Sequence, residues 1–209
     1  MSIQRAEVPA AVPAAAEAEE ERGLVDRARA GETGAFEALV RRYQGWVFTL
    51  ALRMVGDRAE AEDLAQDVFL KAYRGLRGFK GASRFSTWLY AIASHHCLNH
   101  LKARGRRGGL PRRGRDNPAT GDDLPALVDR LPDGAPQADA LLERADLARI
   151  IQAEMAHLTE EHRMVLILRD IQGLSYEEIA RTLGVELGTV RSRLHRARME
   201  MKARLAPHL

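Results

Sequence analysis

The 209-residue chain has little cysteine, few aromatic residues and no long apolar run. Its one cysteine, Cys97, cannot form a disulfide within the chain, which fits a reducing cytosol. Aromatic residues make up only 5% of the sequence, while Ala, Leu, Arg and Glu are plentiful, so helices are favoured over sheet. No apolar run approaches the ~18 residues needed to cross a bilayer. With no secretory signal at the N-terminus either, these absences predict a cytoplasmic, all-α protein without membrane insertion.

The sequence also lacks the common motifs of enzymes. We find no Gly-rich phosphate loop, no GxSxG and no isolated carboxylate pair in an apolar setting. His95, His96, Cys97 and His100 are the nearest approach to a metal site, but neither CxxC nor HExxH accompanies them. Polar or DNA-facing histidines are the favoured interpretation. The chain is therefore predicted to be no enzyme and to need neither cofactor nor metal.

Charge is segregated along the chain. The net charge is only +3, yet the sequence pI is about 9.3. The N-terminus is acidic, whereas residues 102–115 and the C-terminal region are rich in Arg and Lys. This pattern indicates local contact with a polyanion rather than a uniformly basic protein.

Composition and periodicity divide the chain into four parts. Residues 1–22 are rich in Ala, Pro and Glu and predict a flexible tail, whereas apolar residues at steps of three and four predict helices over residues 23–104. Glycines and prolines make residues 105–137 a linker. Helical periodicity returns over residues 138–205. The predicted fold is all-α, with two small helical domains joined by a flexible linker.

The end of the chain predicts a helix-turn-helix. Ser175 and Glu178 have the spacing of a capping box, Gly184 ends the first helix, and Thr189 is placed to cap the second. The second helix has an apolar side and a side rich in arginine, which suits the DNA major groove. The alternative is an ordinary helical hairpin whose basic side faces solvent.

Two further clusters of side chains precede the linker. Phe79, Trp88 and Tyr90, beside Lys71 and other cations, suit single-stranded nucleic acid, because bases stack on aromatic rings while cations follow the phosphates. Alternatively, Trp88 and Tyr90 belong to the core. An acidic side of the preceding helix is either solvated or faces a basic partner; its members are Asp63, Gln66 and Asp67.

Several segments together resemble the extracytoplasmic-function (ECF) sigma factors of the sigma-70 family. They are residues 39–43, 61–73, 79–90, 173–180 and 188–193. The resemblance covers residues 24–104 and 138–204. It implies a promoter-recognition subunit of bacterial RNA polymerase, whose first domain binds core polymerase and opens the minus-ten element and whose second binds the minus-thirty-five element.

The resemblance also implies roles for individual residues. The core-polymerase contacts, on the coiled coil of the largest subunit's clamp, are Asp63, Gln66 and Asp67. The minus-ten contacts are Lys71, Phe79, Trp88, Tyr90, His95, Asn99 and Lys102, with His95 where the family often has Asn against a flipped-out base. The minus-thirty-five contacts are Thr189, Arg191, Ser192, Arg193, His195 and Arg196. Further expected partners are the polymerase flap, for the second domain, and an anti-sigma factor.

Two other functions compete with this one. A dimeric transcriptional regulator with a ligand-sensing first domain would bind operator DNA alone, but no pocket signature is legible. An enzyme acting on nucleic acid would need an acid/base or metal constellation, which the sequence lacks.

The arginines of residues 102–115 could contact either phosphate groups of DNA or the surface of the polymerase, and the sequence does not choose between them.

Overall fold

The structure is a computed structural model that describes residues 15–106 and 138–208, and every regular element in these ranges is helical. The first half consists of α1 (Ala15–Arg29), α2 (Thr33–Val55), α3 (Arg58–Gly75) and α4 (Phe85–Arg106). A 3₁₀ turn, Leu76–Gly78, follows α3. The all-α prediction is confirmed.

The second half begins with α5 (Ala138–Met155) and α6 (Glu160–Leu166). One π-helical turn, Ile167–Ile171, continues α6. The helix-turn-helix consists of α7 (Tyr176–Leu183) and α8 (Leu187–Leu205), and a 3₁₀ turn follows at Ala206–His208.

Helix caps form at Ser175 and Gly184, as predicted, and at two further positions, Gly56 and Asp57. Both bonds of the capping box form at Ser175, since its side chain accepts from the Glu178 N–H and the Glu178 carboxylate accepts from the Ser175 N–H. Gly184 ends α7 and Gly56 ends α2, at φ of 65° and 78°, in the left-handed region that favours glycine. Asp57 caps α3, whereas the Glu60 carboxylate bonds His100 and Arg104 of α4 rather than closing a second capping box.

Two local predictions are wrong. The flexible tail predicted over residues 1–22 is helical from Ala15, because α1 packs on α2 and Glu21 is buried where it accepts from the Tyr43 hydroxyl. Residues 1–14 lie outside the described residues, as do residues 107–137 of the predicted linker, whose first two residues complete α4. Thr189 does not cap α8, since Glu186 precedes the first residue of this helix and Thr189 lies inside its first turn.

One continuous apolar cluster runs through both halves. It includes Leu50 and Leu89 from the first half and Ile167, Leu168 and Ile179 from the second. Cys97 is also part of it, and burial raises the pKa of its thiol to about 12. The two halves therefore fold against each other around a common core.

Polar contacts fix this arrangement at the end of α2. The Arg163 side chain of α6, only 7% exposed, donates to the carbonyl oxygens of Met54, Ala156 and Leu158. Next to it, Arg53 Nη1 donates to Gln152 Oε1 at 3.0 Å. One buried guanidinium thus joins α2 to the second half while it satisfies the chain between α5 and α6.

We expect Arg163→Met to lower the free energy of unfolding by about 2–3 kcal/mol, because buried carbonyl oxygens would lose their donor. Urea denaturation followed by circular dichroism measures this change. The control is Arg149→Met, which removes an exposed pair with Asp146 and should cost less than ~0.5 kcal/mol. Equal stability of the two variants would contradict the assignment.

Candidate nucleic-acid interface

An acidic surface covers one side of α3. Asp63, Gln66 and Asp67 are all exposed, and their spacing of three and four residues places them on the same side of the helix. Leu70 continues this row one turn later, with an exposed fraction of 52%. Sequence periodicity alone did not separate Leu70 from the core residues around it.

An open pocket of about 450 Å³ lies between α3 and α4. Four of the predicted minus-ten residues line it: Lys71, Trp88, His95 and Asn99. Lys102 lies farther along α4 in a neighbouring depression that Asn99 also lines. The structure thus brings together side chains that are separated by as many as 28 positions in the sequence.

The pocket has four further lining residues that the sequence prediction missed. Gly75, Gly78, Ile92 and His96 complete its wall. Ile92 and His96 follow Trp88 at steps of four, so helical spacing held the signal for both. Gly75 has a steric role, because a Cβ there would lie 3.2 Å from Trp88 Cζ2.

The structure places Phe79 in the core rather than on the predicted DNA-binding surface. Its side chain is buried, with 8% exposed, and its ring centroid lies 5.0 Å from that of Trp88. Phe85 packs against both rings, at 6.2 Å from Phe79 and 5.7 Å from Trp88. Phe79 therefore supports Trp88 from below and is not itself a stacking platform. The half-buried Trp88 remains in the pocket wall.

Tyr90 also departs from the prediction. It follows Trp88 by two residues, or about 200° around the helix, and so faces away from the pocket. Its ring packs on Trp46, and its pKa is raised chiefly by burial, with a further contribution from Glu178 of α7. Lys102 Nζ lies 3.8 Å from Glu161 Oε1 of α6. Lys102 thus contacts the second half in this arrangement, whereas Tyr90 packs on Trp46 and feels the charge of Glu178.

The histidines of α4 have separate environments. His95 is exposed, and its Nδ1 lies 2.7 Å from the Ala91 carbonyl oxygen. His96 lies between Lys71 and Asp67, whereas His100 contacts Glu60. Within residues 15–106 and 138–208, no three His, Cys, Asp or Glu side chains come together as metal ligands would.

Helix α8 presents a basic surface. Arg191, Ser192, His195 and Arg196 are exposed and Arg193 is half-buried, while Val190 and Leu194 are buried on the opposite side. Thr189 is half-buried, and its carbonyl oxygen accepts from the Ser192 hydroxyl. The cations near the start of α8 are thus free to contact a groove.

Arg198 differs from the arginines that precede it on α8. Its Nε donates to Asp170 Oδ2 at 3.0 Å, and Nη2 contacts the second carboxylate oxygen. The hydrogen bond that this guanidinium donates to the Asp170 carboxylate raises the pKa of Arg198. Arg198 therefore holds α8 against the π turn.

The helices of the described ranges include none that is both long and apolar enough to cross a membrane.

Family models for sigma-70 region 2 and for sigma-70 region 4 match residues 39–107 and residues 148–201, respectively. The chain is 38% identical over 192 residues to the RNA polymerase sigma-H factor of Pseudomonas aeruginosa. This alignment covers 91% of this chain and 96% of that protein. It is 36% identical over 189 residues to the ECF RNA polymerase sigma-E factor of Escherichia coli K12, covering 88% and 93% respectively.

Solved structures show the same fold. CnrH in complex with the cytosolic domain of CnrY matches with a TM-score of 0.62 and 25% identity over 90% of this chain and 98% of that one. The sigma factor RpoE bound to the anti-sigma factor NepR from Bartonella quintana matches with a TM-score of 0.58 and 21% identity over 82% and 96%. With both regions present in the order that the sequence predicted, the chain belongs to the sigma-70 family, in its extracytoplasmic-function group of RNA polymerase sigma factors.

Proposed function

We propose that this sigma factor holds a promoter at two points. The pocket between α3 and α4 captures the unwound minus-ten strand, and the start of α8 enters the major groove at the minus-thirty-five element. The observation that carries this proposal is the gathering of Lys71, Trp88, His95 and Asn99 around one open pocket. The protein catalyses no covalent step and works in the cytoplasm, where it biases core polymerase towards an open promoter.

The pocket has the parts that capture of single-stranded DNA needs. The Trp88 ring, fixed by Phe79 and Phe85, offers a stacking surface, and each stacked base contributes ~1–3 kcal/mol. Exposed Lys71 offers its charge to a phosphate. This binding energy offsets the cost of unpairing the duplex, so melting and recognition occur in one place.

His95 is the candidate for reading a base. A carbonyl oxygen only accepts hydrogen bonds, so the contact with Ala91 places the proton of neutral His95 on Nδ1. Nε2 is then left as an acceptor, which suits an exocyclic amino group such as adenine N6 or cytosine N4. An asparagine in this position would present both a donor and an acceptor.

The acidic surface of α3 is the proposed contact with core polymerase. Asp63, Gln66 and Asp67 would face the basic coiled coil of the largest-subunit clamp, with Leu70 buried by the same contact. The second half would touch the polymerase flap. Because RpoE is known in complex with the anti-sigma factor NepR, we also propose control by an anti-sigma factor.

The packed arrangement is not the one that binds both elements. Promoter elements about 25 base pairs apart are separated by ~85 Å of duplex, at ~3.4 Å per base pair. A compact chain of this length has a radius of gyration of about 17 Å. Both surfaces can therefore be used at once only after the contacts of Arg163 and Arg53 with the opposite half are broken.

Run-off transcription with purified core polymerase and promoter libraries tests the proposal. Wild-type protein should give promoter-specific transcripts, and Arg191→Ala should reduce them roughly 5- to 100-fold, as for loss of a base or phosphate contact. Lys202→Ala is the matched control, because Lys202 is exposed on the same helix ~16 Å further along its axis. Absence of any promoter-specific transcript would refute the function.

We expect Asp63→Lys to weaken binding to core polymerase by about 10-fold or more, since a charge that faces a basic surface would be reversed. Fluorescence anisotropy of labelled protein titrated with core measures the affinity. Glu62→Lys makes the same change one residue away, where Glu62 pairs with Arg58. Equal losses in the two variants would exclude a specific contact at Asp63.

We expect His95→Asn to change the preferred base at one minus-ten position without abolishing transcription, because the amide offers a donor beside its acceptor. Sequencing transcripts from a randomised minus-ten library measures the preference. An unchanged preference at every position would remove His95 from base recognition.

A further inference from the structure

We propose that His96 is a positioning residue that fixes the Lys71 ammonium at the minus-ten pocket and links it to Asp67 of the acidic surface. This inference rests on the proposed function, because Lys71 and Asp67 derive their roles from it. A neutral His96 adds no charge to the acidic surface of α3 or to the minus-ten pocket. Its role follows from the position of its imidazole ring between the two.

The ring bridges two residues of α3. Lys71 Nζ contacts His96 Nδ1, and His96 Nε2 lies 3.3 Å from Asp67 Oδ2. Asp67 and Lys71 are four residues apart and so follow one another on the same side of the helix. One imidazole from α4 therefore contacts the proposed polymerase side and the proposed DNA side of α3.

The contact with Lys71 determines the protonation of the ring. An ammonium group only donates hydrogen bonds, so Nδ1 must be the acceptor, and the proton of the neutral ring is on Nε2. The His96 side chain is only 14% exposed. Burial, followed by the charge of Lys71, lowers the pKa of His96 against the opposing effect of Asp67, which favours the neutral form that this contact requires.

The second ring nitrogen of His96, Nε2, does not form a hydrogen bond with any described residue. Nε2 is buried and, among the described residues, has no hydrogen-bond partner, because its approach to the Asp67 carboxylate lacks hydrogen-bond geometry. Buried polar atoms without a partner are uncommon in folded proteins and point to a function or to a missing partner. A small rotation of Asp67 would complete the chain Asp67–His96–Lys71.

Fixing Lys71 in advance benefits DNA capture. A free lysine side chain loses rotamer freedom when it binds a phosphate, and an anchored one has already lost it. With Nζ held against His96, the charge is at the rim of the pocket that Trp88, His95 and Asn99 also line. His96 thus acts through Lys71 and need not contact DNA.

The experiment measures how holoenzyme, this chain with core polymerase, binds a fluorescein-labelled 12-nucleotide single-stranded DNA of random sequence over a range of salt concentrations. We expect His96→Leu to weaken binding roughly 3- to 10-fold, like Lys71→Met. Lys71→Met should lower the slope of log K against log salt by about 0.7, the value for one phosphate contact on a single strand, whereas His96→Leu keeps the ammonium and should keep the slope. The double variant should be no weaker than Lys71→Met.

Two conservative variants separate positioning from a purely structural role. Asparagine places its amide oxygen near the position of Nδ1, so His96→Asn should retain the affinity and the salt slope. Glutamine places its amide near Nε2, so His96→Gln should lose affinity as His96→Leu does. A structural role would instead make His96→Leu and Lys71→Met additive, with no difference between Asn and Gln.

Three results would overturn the proposal. The first is wild-type binding affinity in His96→Leu, and the second is additivity with Lys71→Met. The third is wild-type binding in Lys71→Met, which would also remove Lys71 from the proposed minus-ten pocket. Run-off transcription by the same holoenzymes then distinguishes failure of this pocket from failure of the sigma-factor function.

Discussion

The arrangement of the whole chain depends on the buried guanidinium of Arg163. A charge in a low-dielectric core is tolerated only when its donors find acceptors, and three backbone carbonyls supply them here. One of these, on Met54, belongs to the first half, so desolvation of this charge is balanced only while the halves are packed. The same contact that satisfies the core therefore holds the two promoter-binding surfaces close together. Separation of the halves returns Arg163 to water, so solvation replaces part of the hydrogen bonding that is lost.

Local chemistry made the fold predictable from sequence. Capping at Ser175 and Asp57 and the helix ends at Gly56 and Gly184 are decided within a few residues of the chain. The helix at Ala15 was missed because its stability comes from packing on α2, which local composition does not contain. Thr189 was misassigned as a cap for a similar reason: the backbone places Glu186 before the first turn, although a threonine has the better capping side chain.

The candidate site was only partly predictable. Lys71, Trp88, His95 and Asn99 do line one pocket, but Phe79 supports it from the core and Tyr90 packs on Trp46, away from the pocket. Residue type does not distinguish an aromatic ring that stacks on a ligand from one that supports such a ring. The role of Gly75 depends on the distance to Trp88 across two helices, and that of His96 on a contact between α3 and α4. Helical spacing places His96 on the pocket side of α4, but neither contact between helices can be read from the spacing along one helix.

Cys97 carries the only thiol of the sequence, and its burial allows motion between the two halves to be followed with thiol-reactive dyes. Cys97 is buried, and its pKa of about 12 leaves almost no thiolate at neutral pH, whereas it is the thiolate that reacts with alkylating probes and oxidants. The native cysteine is thus silent towards such reagents while the core is intact. Two introduced cysteines, one on each half, would therefore take up a pair of dyes without the need to remove Cys97. The distance between the halves can therefore be recorded in a chain whose core is unchanged, as polymerase and promoter bind.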